Sequence, residues 1–295
     1  MEEYIKRIAK TKKQERFNAI VDILKELDVN YSIQDIPYPD ALGNIIVELK
    51  KSEGKKLVIS AHYDNYNNTP GANDNASACA ILLKLIKKFK NCNMHLEFVF
   101  FDLEESGMIG STYYLKQNKD KIGLVYNLDM CGLGNNIVYS INNMEDDYKK
   151  ISNLYNALRV KRLPIGDADT FITRGIPTIY VVNSTDRDII WYKDYEMGRR
   201  PKVYPDFLKT MHQANDTIDT ININQVNKIV MFMTDMLKVN ELKEMREKNE
   251  KSGFKRILIY EDCAPAGLTV DEMIELLLKN KNNCENNKKG FANSI

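Results

Sequence analysis

Long hydrophobic runs are missing from this 295-residue chain. No stretch approaches the roughly 18 uncharged apolar residues of a membrane-spanning helix. The opening MEEYIKRIAKTKKQERFNAIVDILKEL scatters Glu and Lys through every turn and holds no apolar segment of the secretory-signal kind, so the sequence predicts a cytoplasmic protein with no membrane partner. An excess of either charge is missing as well. Forty-two Lys and Arg stand against 41 Asp and Glu, a formal net charge of +1, without the basic surplus that marks a nucleic-acid-binding surface. The five cysteines (Cys79, Cys92, Cys131, Cys263, Cys284) are odd in number, widely spaced and contain no C-x-x-C pair, which points to free thiols in a reducing compartment. Only three histidines are present, His62, His95 and His212, so imidazole chemistry has few places to reside. No internal repeat and no Pro- or Gly-rich linker interrupts the first 240 residues, which read as one domain followed by a 241–295 extension of unassigned role.

What is there suffices for a folded core: 43% of the residues are hydrophobic. Phe17, Ile20, Val21, Leu24 and Leu27 recur at helical spacing and give an amphipathic helix ending near Asp28, expected to cap a sheet edge. Strand-like NIIVEL (44–49) and KLVISA (56–61) precede a helical run NASACAILLKLIKKF (75–89). Then come HLEFVFFDL (95–103), GLVYNLDM (123–130), helical stretches from about Glu145 to Leu158 and from about Asp169, the apolar strand IPTIYVV (176–182), and the helix NQVNKIVMFMTDML (224–237). Apolar strands alternating with helices predict an α/β fold: a mostly parallel mixed sheet flanked by helices on both faces. Ligand sites of such sheets lie at the carboxyl ends of the strands.

Potential metal donors gather at those ends. His62, Tyr63 and Asp64 follow KLVISA, Glu104 and Glu105 follow the strand ending at Leu103, and Asp129 closes LVYNLD. His212 comes from the loop before the last core helix, whereas His95 opens a strand and belongs to the opposite rim. Zinc takes imidazole nitrogen and carboxylate oxygen at about 2.0–2.2 Å. Two such ions about 3.5–4 Å apart can share a bridging carboxylate and together polarise a carbonyl and activate a water. His62, Asp74, Glu105, Asp129 and His212 supply the two imidazoles and three carboxylates that this needs, with Glu104 left over as a base. Asp74 sits in NNTPGANDNASACA, where Gly71 can take the positive φ of a sharp turn and small residues let the backbone approach a site.

Together the motifs HYD (62–64), GANDNASA (71–78), EESGMIGS (104–111), NLDM (127–130) and HQANDT (212–217) resemble the bridged di-zinc aminopeptidases of the bacterial leucyl aminopeptidase type, over roughly residues 15–238. Glutamate carboxypeptidase, glutaminyl cyclase and the catalytically silent transferrin receptor are wider relatives. The resemblance implies the zinc exopeptidase (phosphorylase/hydrolase-like) architecture and two Zn2+ ions. It implies that His62 and Asp129 hold one ion, Glu105 and His212 the other, and Asp74 bridges them. It makes Glu104 the general base and Asp64 the carboxylate that orients His62. It also implies a cis peptide bond after Asp74. The substrate would be a peptide with a free N-terminus. One segment departs from the pattern: DADTFITRGIP (167–177) matches the family's Ser-Asp-His stretch at Asp169 and Phe171 but carries Thr170 in place of the histidine.

Two other readings stay open. The same metals can serve a carboxypeptidase or dipeptidase, whose substrate carboxylate needs a cationic clamp, for which Arg174, Arg187, Arg199 and Arg200 are candidates. A metal-binding but inactive interaction protein is the third, with the C-terminal extension as its working part. The aromatic-rich insertion 183–211, with Trp191, Tyr192, Tyr195, Tyr204 and Phe207, is either a wall of the substrate pocket or a surface loop with its own cluster. In the extension, KRILIYED reads as a strand, Thr269 and Glu272 as a capping box before a short helix, and the Asn- and Lys-rich end as disordered.

Overall fold

In the computed structural model, residues 1–49, 54–92, 94–252, 256–259, 262–265, 272 and 275 are described. They fall into two compact units, Met1–Glu145 with Asn156–Met231, and Asp146–Tyr155 with Phe232–Ile295.

The first unit opens with two helices, α1 (Glu2–Ile8) and α2 (Lys13–Glu26), the latter burying Ile20, Val21, Ile23 and Leu24 along one stripe. Strands β1 (Ser32–Gln34), β2 (Asn44–Leu49) and β3 (Lys56–His62) follow, then α3 (Ser77–Phe89), β4 (Leu96–Phe101), α4 (Ile109–Asn118) and β5 (Ile122–Leu128). After β6 (Asn136–Asn142) the second unit takes the short α5 (Lys149–Leu154), and the first resumes with β7 (Leu158–Arg159), α6 (Asp167–Ile172), β8 (Thr178–Ser184) and α7 (Asp186–Glu196). The boundary between the units falls within α8 (Ile223–Ser252).

The eight strands form one sheet in the order β1-β2-β4-β3-β5-β8-β6-β7. Its centre, β4-β3-β5-β8, is parallel, while β1–β2, β2–β4 and β8–β6 pair antiparallel, so the sheet is mixed as the sequence predicts. Successive strand side chains point to opposite faces. Every residue of β3, β4 and β8 is buried, which requires cover on both faces. On one face Val58, Val99, Phe101 and Val125 meet Tyr114, Leu115 and Phe171 of α4 and α6. Helix α3, itself almost wholly buried, lies against β3 and β4.

Three sequence expectations change. The strand β6 was not anticipated. The helix expected over about 145–158 is confined to Lys149–Leu154, and the one from about Asp169 begins at Asp167 and ends by Ile172. His95 does sit at the opposite rim, its Nε2 2.9 Å from Glu48 Oε1. In the second unit, Tyr148 and Tyr155 donate hydrogen bonds to Asn240 and Asp235 of α8, and β9 (Arg256–Ile259) pairs antiparallel with β10 (Asp262–Pro265). The expected capping box and short helix, apart from Glu272 and Glu275, and the Asn-rich end lie outside the described residues. No helix among the described residues is long and apolar enough to cross a membrane.

Candidate functional site

Three adjacent parallel strands end at one place. β3 delivers His62, the turn after β4 delivers Glu104 and Glu105, and Asp129 follows β5 directly. Asp64 ties the first two ends together. Its carboxylate accepts the backbone N–H of Glu104 and of Glu105, each at 3.1 Å, and its Oδ1 lies 3.4 Å from His62 Nδ1. The side chain predicted to orient His62 thus also fixes the backbone beneath both glutamates.

Asp74 is held by a turn that needs glycine. Gly71 has φ +58°, and a Cβ there would lie 2.4 Å from the Asp74 carbonyl oxygen. The peptide bond between Asp74 and Asn75 is cis. Asp216 accepts the N–H groups of Asn73 (2.8 Å) and Asp74 (3.0 Å), while Asn73 Oδ1 accepts those of Gly132 (2.8 Å) and Leu133 (3.0 Å) beyond Asp129.

A fully buried arginine joins this scaffold. Arg16 of α2 donates to the carbonyls of Tyr63 (2.5 Å), Pro70 (2.8 Å) and Gly71 (3.3 Å), linking the exit of β3 to the Asp74 turn. Its charge also acts on Asp64, Asp74 and Asp216. Replacing it by methionine leaves buried carbonyls without donors and acidic groups without their cation. Arg16→Met is expected to lower unfolding free energy by about 3–5 kcal/mol in denaturant titration, with Arg16→Lys intermediate because lysine lacks the planar fork.

The donor atoms converge. His62 Nε2 is 3.1 Å from Asp74 Oδ1 and 3.5 Å from Asp129 Oδ1, whereas His212 Nε2 is 3.6 Å from Asp74 Oδ2 and 2.9 Å from Glu105 Oε2. Each oxygen of Asp74 therefore faces a different imidazole. Donor atoms of His62, Asp74 and Glu105 all lie within 4.8 Å of one another. Asp129 Oδ1 and Glu105 Oε1 are buried without a hydrogen-bond donor, which is costly for a carboxylate unless a cation compensates. Imidazole and carboxylate at this density suit zinc or a similar divalent ion. Two aromatic groups brace the cluster: Tyr180 donates its hydroxyl to Asp129 Oδ2 (3.2 Å), and the Tyr66 ring stacks on His212 at 4.3 Å.

Glu104 stands apart from these contacts. It lies on the Asp129 side, where a Cβ on Gly166 would come within 3.5 Å of Glu104 Oε1 and 3.4 Å of Asp129 Oδ2. Burial, with Asp167, Asp129 and Glu105 adding to it against the pull of His62, pushes the Glu104 carboxyl up to about 10. Burial likewise raises Glu105 and pushes Asp167 up to about 7. Burial disfavours the protonated form of His62, yet the surrounding carboxylates outweigh it and raise its pKa well above the ordinary value. Such a crowd of acids around two imidazoles is a site short of positive charge.

Asp167 adds a buried acid that the sequence reading of the 167–177 segment does not include. The acidic group that acts on Glu104 is Asp167, whereas Asp169 turns back to accept the Gly166 N–H at 3.2 Å. Phe171 packs in the core against Phe101 and Tyr114, and Thr170 Oγ1 meets Ser111 Oγ at 2.9 Å. Arg16, Asp216 and Asp167 were not singled out in the sequence, since their partners are backbone groups or carboxylates far away in the chain.

The donors floor a cleft of about 420 Å³ whose upper walls are apolar: Met108, Met130, Ile165, Trp191, Phe207 and Met211. The aromatic insertion is therefore a pocket wall. Its placement has a readable cause, the capping box Thr185–Asp188 that starts α7. Asp188 Oδ1 also accepts the N–H of Phe207 at 3.1 Å, and Trp191 packs edge-on against Phe207 at 5.4 Å. No arginine or lysine is among the described residues lining this cleft.

Over residues 44–237, more than half of the chain, the sequence matches Peptidase family M28. The chain belongs to that family. The M28 match contains every donor named above, while Arg16 lies outside it. Aminopeptidase YwaD of Bacillus subtilis is 32% identical over 97 residues, covering 30% of this chain and 21% of that protein. Leucine aminopeptidase 2 of Trichophyton equinum is 29% identical over 117 residues, 37% of this chain and 24% of that protein, so the matched segments span only a fifth to a quarter of these relatives. Among solved structures, the LapA aminopeptidase of Legionella pneumophila superposes with a TM-score of 0.61 at 13% identity, covering 79% of this chain and 70% of that one. BSAP, a zinc aminopeptidase from Bacillus subtilis, gives 0.52 at 21% identity over 65% and 48%. At these identities the structural likeness speaks for the M28 fold alone.

Proposed function

We infer that this M28 peptidase is a two-zinc aminopeptidase that hydrolyses the first peptide bond of peptides with a free N-terminus. His62 and Asp129 would hold one ion, Glu105 and His212 the other, with Asp74 spanning both. Bound zinc supplies Lewis acidity toward the scissile carbonyl and the attacking water. With bound cations offsetting the surrounding acids, Glu104 would be held as the carboxylate that accepts the proton of that water and returns it to the departing amine, a role suited to a group beside the donors rather than among them. The apolar wall around Trp191 and Phe207 receives the first side chain.

The observation that carries the N-terminal reading is the lining of the cleft: acidic at its floor, apolar above, and without a described arginine or lysine. A free amine suits that field and a terminal carboxylate does not. Of the candidate clamps, Arg187 donates to the Tyr204 carbonyl at 2.8 Å, Arg199 pairs with Asp194 at 3.0 Å, and Arg174 lines a neighbouring cleft rather than this one. The test is a panel of leucyl peptides, free and N-acetylated, with zinc-loaded and chelator-treated protein. Free peptides should be shortened from the N-terminus only when metal is present, and acetylated ones should resist. Efficient cleavage of blocked peptides would replace this reading with a carboxypeptidase or endopeptidase.

A further inference from the structure

A second cleft, of about 460 Å³, runs between α4 and α6. It shares Met108 with the cleft over the metal donors, so the two are neighbours along one wall. Its lining differs sharply from the first. Lys116 and Lys119 come from the end of α4 and the turn after it, Arg174 from just beyond α6, and Thr112, Thr170 and Thr173 add hydroxyls. Among the described residues none of the three cations is in an ion pair, Lys116 lying only over the Tyr113 ring at 6.0 Å, and they outnumber the single carboxylate in the lining, Asp169, which accepts the Gly166 N–H. Three cations against one carboxylate give the groove a net positive lining that attracts an anion.

Direction and distance relate that anion to the substrate. Residues at the starts of α4 and α6, Met108 and Gly166, border the metal donors, and the cations stand toward the other ends of the same helices. From Met108 to Lys116 is eight residues, about 12 Å along α4 at roughly 1.5 Å per residue. An extended peptide covers that distance in three to four residues at about 3.3 Å each. With the first side chain against Trp191 and Phe207, the departing part of the peptide must leave the apolar pocket, and the groove beyond Met108 is the cleft that adjoins it.

We propose that the α4–α6 groove, through Lys116, Lys119 and Arg174, is a subsite for a carboxylate carried by the third to fifth residue of the substrate peptide, either an acidic side chain or the terminal carboxylate of a short peptide. It rests on the aminopeptidase reading for the direction of the chain, and it extends that reading from the first residue to those downstream. The ion pairs are solvent-exposed, so they act on binding by modest factors and weaken with salt.

The test uses zinc-loaded protein and four amidated tetrapeptides, Leu-Ala-Ala-Glu, Leu-Ala-Ala-Gln, Leu-Ala-Ala-Lys and Leu-Ala-Glu-Ala, with Leu-Ala-Ala-Ala as free acid and as amide. Leucyl-p-nitroanilide, which ends short of the groove, is the internal reference. Peptides with a carboxylate should show KM about five- to tenfold below their neutral counterparts with similar kcat, and the difference should shrink in 1 M salt. The Lys116→Gln/Lys119→Gln protein should lose most of that difference while its rate on leucyl-p-nitroanilide stays near wild type. The free-acid against amide pair separates a terminal carboxylate from an acidic side chain. Equal KM for the Glu and Gln peptides, or a preference that survives in the double variant, overturns the subsite. Calorimetric titration of the same peptides keeps the two readings distinguishable: if nothing is hydrolysed, the aminopeptidase reading fails, and the subsite still stands or falls on whether the Glu peptide binds more tightly than the Gln peptide.

Discussion

Glu104→Gln is expected to keep its metal and to lower kcat by about 10²–10⁴-fold, with KM changing much less. The two neighbouring glutamates have separate positions: Glu105 Oε2 sits 2.9 Å from His212 Nε2, while Glu104 lies on the Gly166 and Asp129 side. The backbone under Glu104 is fixed by the Asp64 carboxylate on its N–H and by the N–H groups of Gly107 and Met108 on its carbonyl, each at 2.8 Å. The substitution therefore changes the side chain without moving the loop. Glutamine matches the size of glutamate but cannot accept the water's proton. It also removes one acid from a crowded, buried group, so thermal stability should hold or rise slightly. Elemental analysis and kinetics on one sample decide the matter. A variant within a few-fold of wild type would place the proton acceptor elsewhere, and a variant without metal would move Glu104 among the ligands.

The strand ends were legible because central parallel strands are continuous apolar runs, and the first polar residue after each run marks the rim. That is why His62, Glu104, Glu105 and Asp129 could be placed together from sequence. β6 (NIVYSIN) carries β-branched and aromatic residues between Asn-rich turns, but it is short and its partner β8 begins 42 residues later, from Asn136 to Thr178, so only the fold shows that it joins the sheet. Arg16 escaped for a related reason: an arginine in a helix rich in Lys and Glu reads as solvated charge, and only the fold puts its guanidinium beneath Tyr63, Pro70 and Gly71. The part played by the 167–177 segment was not legible by pattern alone, since Asp167 and Asp169 are two residues apart and only the start of α6 buries Asp167 and turns Asp169 back onto Gly166. The pocket wall was within reach of the sequence, because Thr185 and Asp188 form a capping box that converts the start of the insertion into a helix.

Asp74 and His212 separate a bridged pair of ions from two independent ones. If Asp74 spans both, its two oxygens facing His62 and His212 at 3.1 and 3.6 Å, then Asp74→Ala takes a ligand from each ion at once. His212→Ala takes one ligand from the ion it shares with Glu105 and leaves His62, Asp129 and Asp74 in place. Wild-type protein is therefore expected to carry two divalent ions per chain, His212→Ala to retain about one, and Asp74→Ala to retain little of either at low micromolar metal. Losing several kcal/mol of transition-state stabilisation corresponds to about 10³-fold or more in rate, so both variants should be nearly inactive. Chelation of wild type should reproduce that loss and added zinc should reverse it. Asp74→Ala loses favourable charge contacts with His62, His212 and Arg16, while Asp216 still holds the Asn73 and residue-74 N–H groups, so the variant should fold with lowered stability and a circular dichroism spectrum that matches wild type. A wild-type ratio that stays near one in excess zinc would reject the bridged site, and a folded Asp74→Ala protein that keeps two ions would reject the bridge while leaving the two ligand pairs standing.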